Sequence, residues 1–366
     1  MTTLAFPDTA GQPTDGSFTY EANGVIYSWT GDYWAANNAQ GFDHRYVNVD
    51  GDQMTGDLTV PSLNGGPLGG MRNYFINANF RVLQRNTLST DTAFTNDDFG
   101  PDRWYLRGST AVGGTVTAAV NTRSDANYCL RMKYNGATAG AFLQYKLEAQ
   151  DVQNLIGETF IISMGFDDYS NTASPSVVVR EVNTSGTGTN LAEVPFTLNA
   201  ATGRYEAKVT SAYSATRYGS APNEVGMSVT IWVNGSGTAP ANGSYDFWDL
   251  QMEKGAVATP FEYRPIGTEL AMCQRYFYVV PTNLAIGGYG DQSDTNRTAK
   301  YSYAFPVVMR TTPTKDKNPG ISGTNVSGTA SFVVRNASHA DVTIRPDVTG
   351  TFGGGTTEPV QLDAEL

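Results

Sequence analysis

Histidine and cysteine are scarce in this sequence, with two of each among 366 residues. His44 and His339 lie far apart, and neither has cysteines or carboxylates at metal-ligand spacing. No metal site is expected from them. Cys129 and Cys273 cannot supply the disulfide framework that a small secreted scaffold uses. Both are expected to be small buried hydrophobes. Charge is sparse too, at 16% of residues, with a formal net charge of −11. Such a surface repels phosphate backbones and argues against nucleic acid as a partner. No apolar run approaches the length of a membrane-spanning helix. The opening MTTLAFPDTA has neither the basic nor the apolar region of a secretory signal, so synthesis in a cytosol is expected. Nucleophile elbow, phosphate loop, dinucleotide fingerprint and HExxH are all missing. Glycoside hydrolysis needs two carboxylates facing one sugar bond. Asp97-Asp98 and Asp167-Asp168 are adjacent, and neighbours on a strand point to opposite faces. Asp291, Asp294 and Asn296 lack the spacing of a calcium loop. No catalytic residue, cofactor or metal is assigned, and the chain is read as a non-enzyme.

What is plentiful is glycine, at 39 residues, and tyrosine, at 20. Short apolar-polar alternations separated by Gly, Asn and Ser clusters predict an all-β protein. Residues 1–40 read as a small β-meander, with strands over 18–20, 25–29 and 33–36 and an Asn23-Gly24 turn. Phe18, Tyr20, Tyr27, Trp29, Tyr33 and Trp34 crowd a patch too small to enclose its own core. Residues 41–70 carry Val47, Val49, Met54, Leu58 and Val60, too few to bury one another within one chain. Residues 71–265 predict a jelly-roll-like β-sandwich, with strands including 75–83, 141–147 and 245–253 and a helical turn over 150–156. Trp104, Trp232 and Trp248 are assigned to its core. Residues 266–366 predict a second β-domain, entered through a short helix capped by Thr268 and ending in a loose acidic tail.

The pivot is Tyr245–Phe277, YDFWDLQMEKGAVATPFEYRPIGTELAMCQRYF. Its first part alternates, placing Trp248, Leu250 and Met252 on a buried side and Asp249, Gln251 and Glu253 on a wet one. The run LQMEKGAVATPFEYRPIGTELAMCQRYF resembles a signature of phage tail-fibre and receptor-binding proteins. Asn73–Arg85 (NYFINANFRVLQR), Asp102-Arg103-Trp104 and Phe305–Thr314 resemble other parts of the same domain. Val47–Leu58 (VNVDGDQMTGDL) resembles a repeat of trimeric fibre shafts. The resemblance implies a virion protein of the tail, assembled in the host cytoplasm: a short homotrimer that adsorbs non-covalently to host surface polysaccharide or lipopolysaccharide. Trimer contacts then fall to Val47, Val49, Met54, Leu58 and Val60. Attachment to other tail or baseplate proteins falls to Tyr27, Trp29, Tyr33 and Trp34. The sandwich is expected to be carbohydrate-binding-module-like. Two loops combine rings with hydrogen-bonding groups suited to sugar: Tyr213, Arg217 and Tyr218 in one, and Tyr289, Asp291, Asn296 and Arg297 in the other. The alternatives are a tail or baseplate adaptor that binds protein through its sandwich, and a polysaccharide depolymerase.

Overall fold

The computed structural model describes residues 5–22, 25–36, 70–85, 92–93, 98–108, 115–122, 128–135, 141–169, 173–213, 217–290, 299–345, 347 and 350–366. The chain forms two compact units, 1–60 and 61–366. In the first, strands Thr19–Ala22, Val25–Trp29 and Trp34–Ala36 pair antiparallel, with Tyr20 opposite Tyr27 and Trp29 opposite Trp34. The rings gather on one another. Trp34 stacks on Phe6 at 5.4 Å and meets Phe18 and Trp29 at 5.3 and 5.7 Å. Phe6 arrives from the extended N-terminal segment and also sits edge-on to Tyr27. Tyr33 lies outside the cluster, 63% exposed. Val47, Val49, Met54, Leu58 and Val60 lie outside the described residues.

In the second unit two antiparallel sheets face each other as a β-sandwich. The first sheet runs in the order Thr197–Asn199, Arg204–Thr210, Thr159–Asp168, Gly243–Lys254, Tyr128–Asn135, Thr115–Thr122, Thr92–Ala93. The second runs Gly188–Asn190, Ser176–Val182, Val225–Trp232, Ala141–Glu148, Tyr105–Gly108, Asp98–Phe99, with Val194–Pro195 added beside Ser176–Val182. The period-two pattern explains the core. Leu143, Tyr145 and Leu147 point inward from one strand, Met227, Val229 and Ile231 from the next, and Leu130, Met132 and Tyr134 from the opposing sheet. Trp104 joins them, fully buried, and donates its indole N–H to the Asn77 carbonyl at 2.9 Å. A 3-10 helix over Ala149–Leu155 closes one end.

Three expectations fail here for identifiable reasons. Residues 75–83 are not a strand, although Phe75, Phe80 and Val82 are buried. Asn77 and Phe80 adopt left-handed backbone. The Asn77 side chain replaces a ladder, donating to Val82 O and Asp102 O and accepting from Val82 N. Such local side-chain bonds compete with regular structure. The second failure lies in Gly243–Lys254. Ser163 pairs with Gln251 but Gly165 pairs with Trp248, so this strand holds one extra residue. Asp249, at φ 49°, accommodates that bulge. The slip puts Tyr245 and Phe247 on the core side with Leu250 and Met252, and turns Trp248 outward. The Trp248 indole lies across Gly165, where any Cβ would collide with the ring. Trp232, likewise expected in the core, faces outward beside Phe142, because alternation gives the core side of its strand to Met227, Val229 and Ile231.

Residues 266–366 hold a second hydrophobic cluster around Phe332, Val342, Ile344, Val360 and Leu362. Three small antiparallel sheets enclose it. The helix spans Ile266–Gln274 with Pro265 at its N-cap and no side-chain cap, so Thr268 lies inside the first turn. Its Cys273, and Tyr276 beyond it, pack into the sandwich core. The acidic end is no loose tail. Ala364 is buried, and Glu365 pairs with Arg103 and Arg85.

Candidate functional site

The polar side of Gly243–Lys254 was expected to be wet, yet Asp249, Gln251 and Glu253 are 7%, 0% and 3% exposed. Residues 255–265 cross over them as a strap. Glu253 accepts from the Thr259 amide at 2.8 Å and its hydroxyl at 2.6 Å. Gln251 accepts from the Glu262 amide at 2.8 Å. Glu262 in turn accepts from the amides of Met71 and Asn73. Arg264 donates to the carbonyls of Asn73 and Phe75 and pairs with Glu262 and Glu269. Glu269 accepts from the Asn77 amide at 2.6 Å. At the far end Arg275 and Tyr276 both bond Glu148, which is fully buried. Arg310 donates its amide to Arg275 O and its guanidinium to Ala364 O and Glu365 O. The stretches 73–85, 102–104, 245–277 and 305–314 therefore meet in one hydrogen-bonded latch. Buried charges survive only when paired and bonded in this way. Burial pushes the Asp102 carboxyl up to about 6, against the opposing pull of Gln84 and Arg85. This layer holds the sandwich to its own entry and exit segments, and its polar groups have little left to offer a ligand.

The second sheet presents the opposite situation on its outer face. Strand alternation turns Gln144 and Lys146, Ser228 and Thr230, and Val178 and Arg180 outward. The register lines them up: Lys146 opposes Ser228, which opposes Arg180, while Gln144 opposes Thr230. A cleft of about 310 Å³ lies over them, rimmed by Ser220 and Glu224. Ser228 forms part of its floor. Gln144 donates to the Thr230 hydroxyl at 3.1 Å. Lys146 also lines the cleft and donates to the Leu366 carbonyl at 2.6 Å. The Arg180 guanidinium lies across Gly188 of the neighbouring strand, where a Cβ would collide with it. Among the described residues, the exposed side chains of Arg180 and Glu224 have no hydrogen-bond or ion-pair partner. Two residues along the strands, about 7 Å away, Phe142 and Trp232 face each other with centroids 4.5 Å apart.

The residues expected to bind sugar are placed differently. Tyr218 is 1% exposed, with its hydroxyl bonded to Glu181 at 2.7 Å and Ser211 at 2.8 Å, so it offers no ring to a ligand. Burial raises its pKa above the usual tyrosine value. Tyr213 stacks on Tyr218 at 4.6 Å and is half-buried. Arg217 is exposed and donates to the Ser220 carbonyl. Tyr289 lies in strand Ala285–Gly290, opposite Thr351. Asp291, Asn296 and Arg297 lie outside the described residues. His339 opens strand His339–Ile344. No cluster of three or more metal-ligating side chains occurs among the described residues. The cleft residues were not singled out in the sequence. Their signal is present in retrospect, since Gln144, Lys146, Ser228 and Arg180 all alternate with core residues.

No family model matches this sequence, and no curated protein is similar to it. Solved structures similar to parts of it include carbohydrate-binding modules. The CBM22-1–GH10 modules of Clostridium thermocellum xylanase 10B, complexed with xylohexaose, are 12% identical with a TM-score of 0.27, over 48% of this chain and 30% of that one. The CBM22-1–CBM22-2 tandem domain of Paenibacillus barcinonensis Xyn10C is 13% identical with a TM-score of 0.26, over 76% and 97%. The C-terminal family 22 module of Clostridium thermocellum Xyn10B is 15% identical with a TM-score of 0.25, over 48% and 99%. TM-scores this low transfer neither a fold nor a ligand to this chain.

Proposed function

We propose that this chain is a structural protein of a phage tail, a short trimeric fibre that adsorbs to host surface glycan without cleaving it. The observation that carries the reading is the convergence of the signature. Besides Val47–Leu58, which lies outside the described residues, the stretches 73–85, 102–104, 245–277 and 305–314 resemble tail-fibre proteins, and they lie up to about two hundred residues apart. Bonds run between them, through Glu262–Asn73, Arg264–Phe75, Glu269–Asn77, Asn77–Asp102 and the backbone pair Arg310–Arg275. A resemblance scattered by chance would have no reason to form one connected layer. The first unit fits attachment, with Tyr33 exposed beside a self-packed aromatic cluster that carries Tyr27, Trp29 and Trp34. Weak glycan sites repeated around a trimer would gain avidity through effective concentration.

Two measurements test this reading. Particles from a phage encoding the chain should contain it by mass spectrometry, labelled at the tail by antibodies against residues 173–290. The purified chain should compete with those particles for host cells. Particles that lack the chain, or adsorb unhindered in its presence, rule the reading out.

A further inference from the structure

We propose that the cleft on the outer face of the second sheet binds an uncharged saccharide chain, read by Arg180, Glu224 and Gln144 and stacked on the Phe142–Trp232 ring pair. The inference rests on the glycan-adsorption reading and names the site and the ligand class within it.

Four observations carry it. The cleft volume, about 310 Å³, falls at the lower end of the range for small-ligand sites. Its floor is polar and low, because Ser228 stands at the centre of the row Lys146–Ser228–Arg180. Larger side chains would fill the space. Arg180 and Glu224 bring one donor set and one acceptor set, both without partners among the described residues. A sugar hydroxyl donates and accepts at once, so this pairing suits it. Finally, the rings of Phe142 and Trp232 are only partly buried on the same face. They offer apolar surface beside the polar row, as the face and edge of a pyranose require.

The charge pattern selects an uncharged ligand over an acidic one. Lys146, the second cation of the row, is directed to the Leu366 carbonyl and lies 5.7 Å from the Tyr105 ring centroid. Glu224, on the same cleft, carries the charge opposite to that of Arg180. The whole chain carries −11, which opposes the approach of a polyanion. A nucleic acid is disfavoured for the same reason. Gly188 supports the arrangement, since its missing side chain lets the Arg180 guanidinium lie along the neighbouring strand.

The test uses the full chain on an array of neutral hexose and pentose oligosaccharides beside uronate- and sialate-containing ones. Readings are taken at about 0.05 M and about 0.5 M salt, which shortens the screening length severalfold. Expected is binding to neutral oligosaccharides, unchanged by salt. Arg180→Ala should weaken it about tenfold, a loss of about 1.4 kcal/mol. Gly188→Ala, which displaces the guanidinium without removing it, should weaken it by a smaller factor. Thermal melting confirms that each variant remains folded. If both folded variants bind as the parent does, the cleft is not the site, and the adsorption reading stands. Binding confined to acidic saccharides and lost at high salt overturns the ligand class. If the parent binds no saccharide, the cleft proposal and the adsorption reading fall together.

Discussion

The two outer faces of the sandwich use the same kinds of side chain to opposite ends. On the first sheet Gln251 and Glu253 are buried and bonded to the strap, whose own Glu262 and Arg264 are buried and bonded to residues 71–77. On the second, Arg180 and Glu224 are exposed and unpartnered among the described residues. A polar group that is buried and satisfied specifies structure, and removing its partner exposes a large desolvation penalty. A polar group left at a cleft costs little to the fold and remains available to a ligand. The lesson is that a dense motif of charged residues can mark a joint, while a sparse row of polar residues at alternate strand positions can mark a binding surface.

The comparison breaks first at Arg264. Replacing it by Ala strands Glu262 and Glu269 in a buried site and should cost about 3–5 kcal/mol, measured by urea unfolding. A loss below about 1 kcal/mol would mean that the latch is not structural. Asp102 gives the next effect. Its folded pKa of about 6 lies above the unfolded carboxylate value. Between those values the folded state binds more protons than the unfolded state. Stability contributed by this group therefore falls as pH rises from about 4 to about 6, by up to about 3 kcal/mol. Asp102→Asn should remove that slope from the pH profile, and an unchanged slope contradicts the assignment. Gly165→Ala should cost about 1–3 kcal/mol by pushing the Trp248 indole off the sheet, visible as a lower melting point and altered tryptophan fluorescence. Arg180→Ala should change stability by no more than about 0.5 kcal/mol, since it is a surface change. A larger loss would place Arg180 with the latch rather than with the cleft.

Much of the architecture was legible in the sequence. The all-β class followed from alternation and turn clusters, and strands such as Ala141–Glu148 and Val25–Trp29 lie where the pattern placed them. The helical turn near residue 150 was also visible, as a 3-10 helix. The failures share a cause, which is contact with distant chain. The Trp248–Asp249 bulge answers to Ser163–Gly165, more than eighty residues earlier. Periodicity in Gly243–Lys254 alone could not contain it. The pattern places Asn77 inside a strand, yet Asn73 and Asn77 each organise backbone that no strand covers. Tyr218 looked like a loop ring because its acceptor Glu181 lies on another strand. The cleft was hidden because its row joins Ala141–Glu148, Val225–Trp232 and Ser176–Val182 out of sequence order.

The most direct test of the division between latch and cleft measures two quantities on two variants of the full chain. Arg264→Lys is chosen for the latch, because it keeps the charge but loses the forked geometry that reaches two carbonyls and two carboxylates. Arg180→Ala represents the cleft. Urea midpoint and affinity for the neutral oligosaccharide that the parent binds best are measured on both. The account predicts a crossed result: Arg264→Lys lowers the midpoint and leaves affinity unchanged, while Arg180→Ala lowers affinity and leaves the midpoint unchanged. If Arg264→Lys weakens saccharide binding at full stability, or Arg180→Ala lowers the midpoint with affinity intact, the roles assigned to the two faces are wrong.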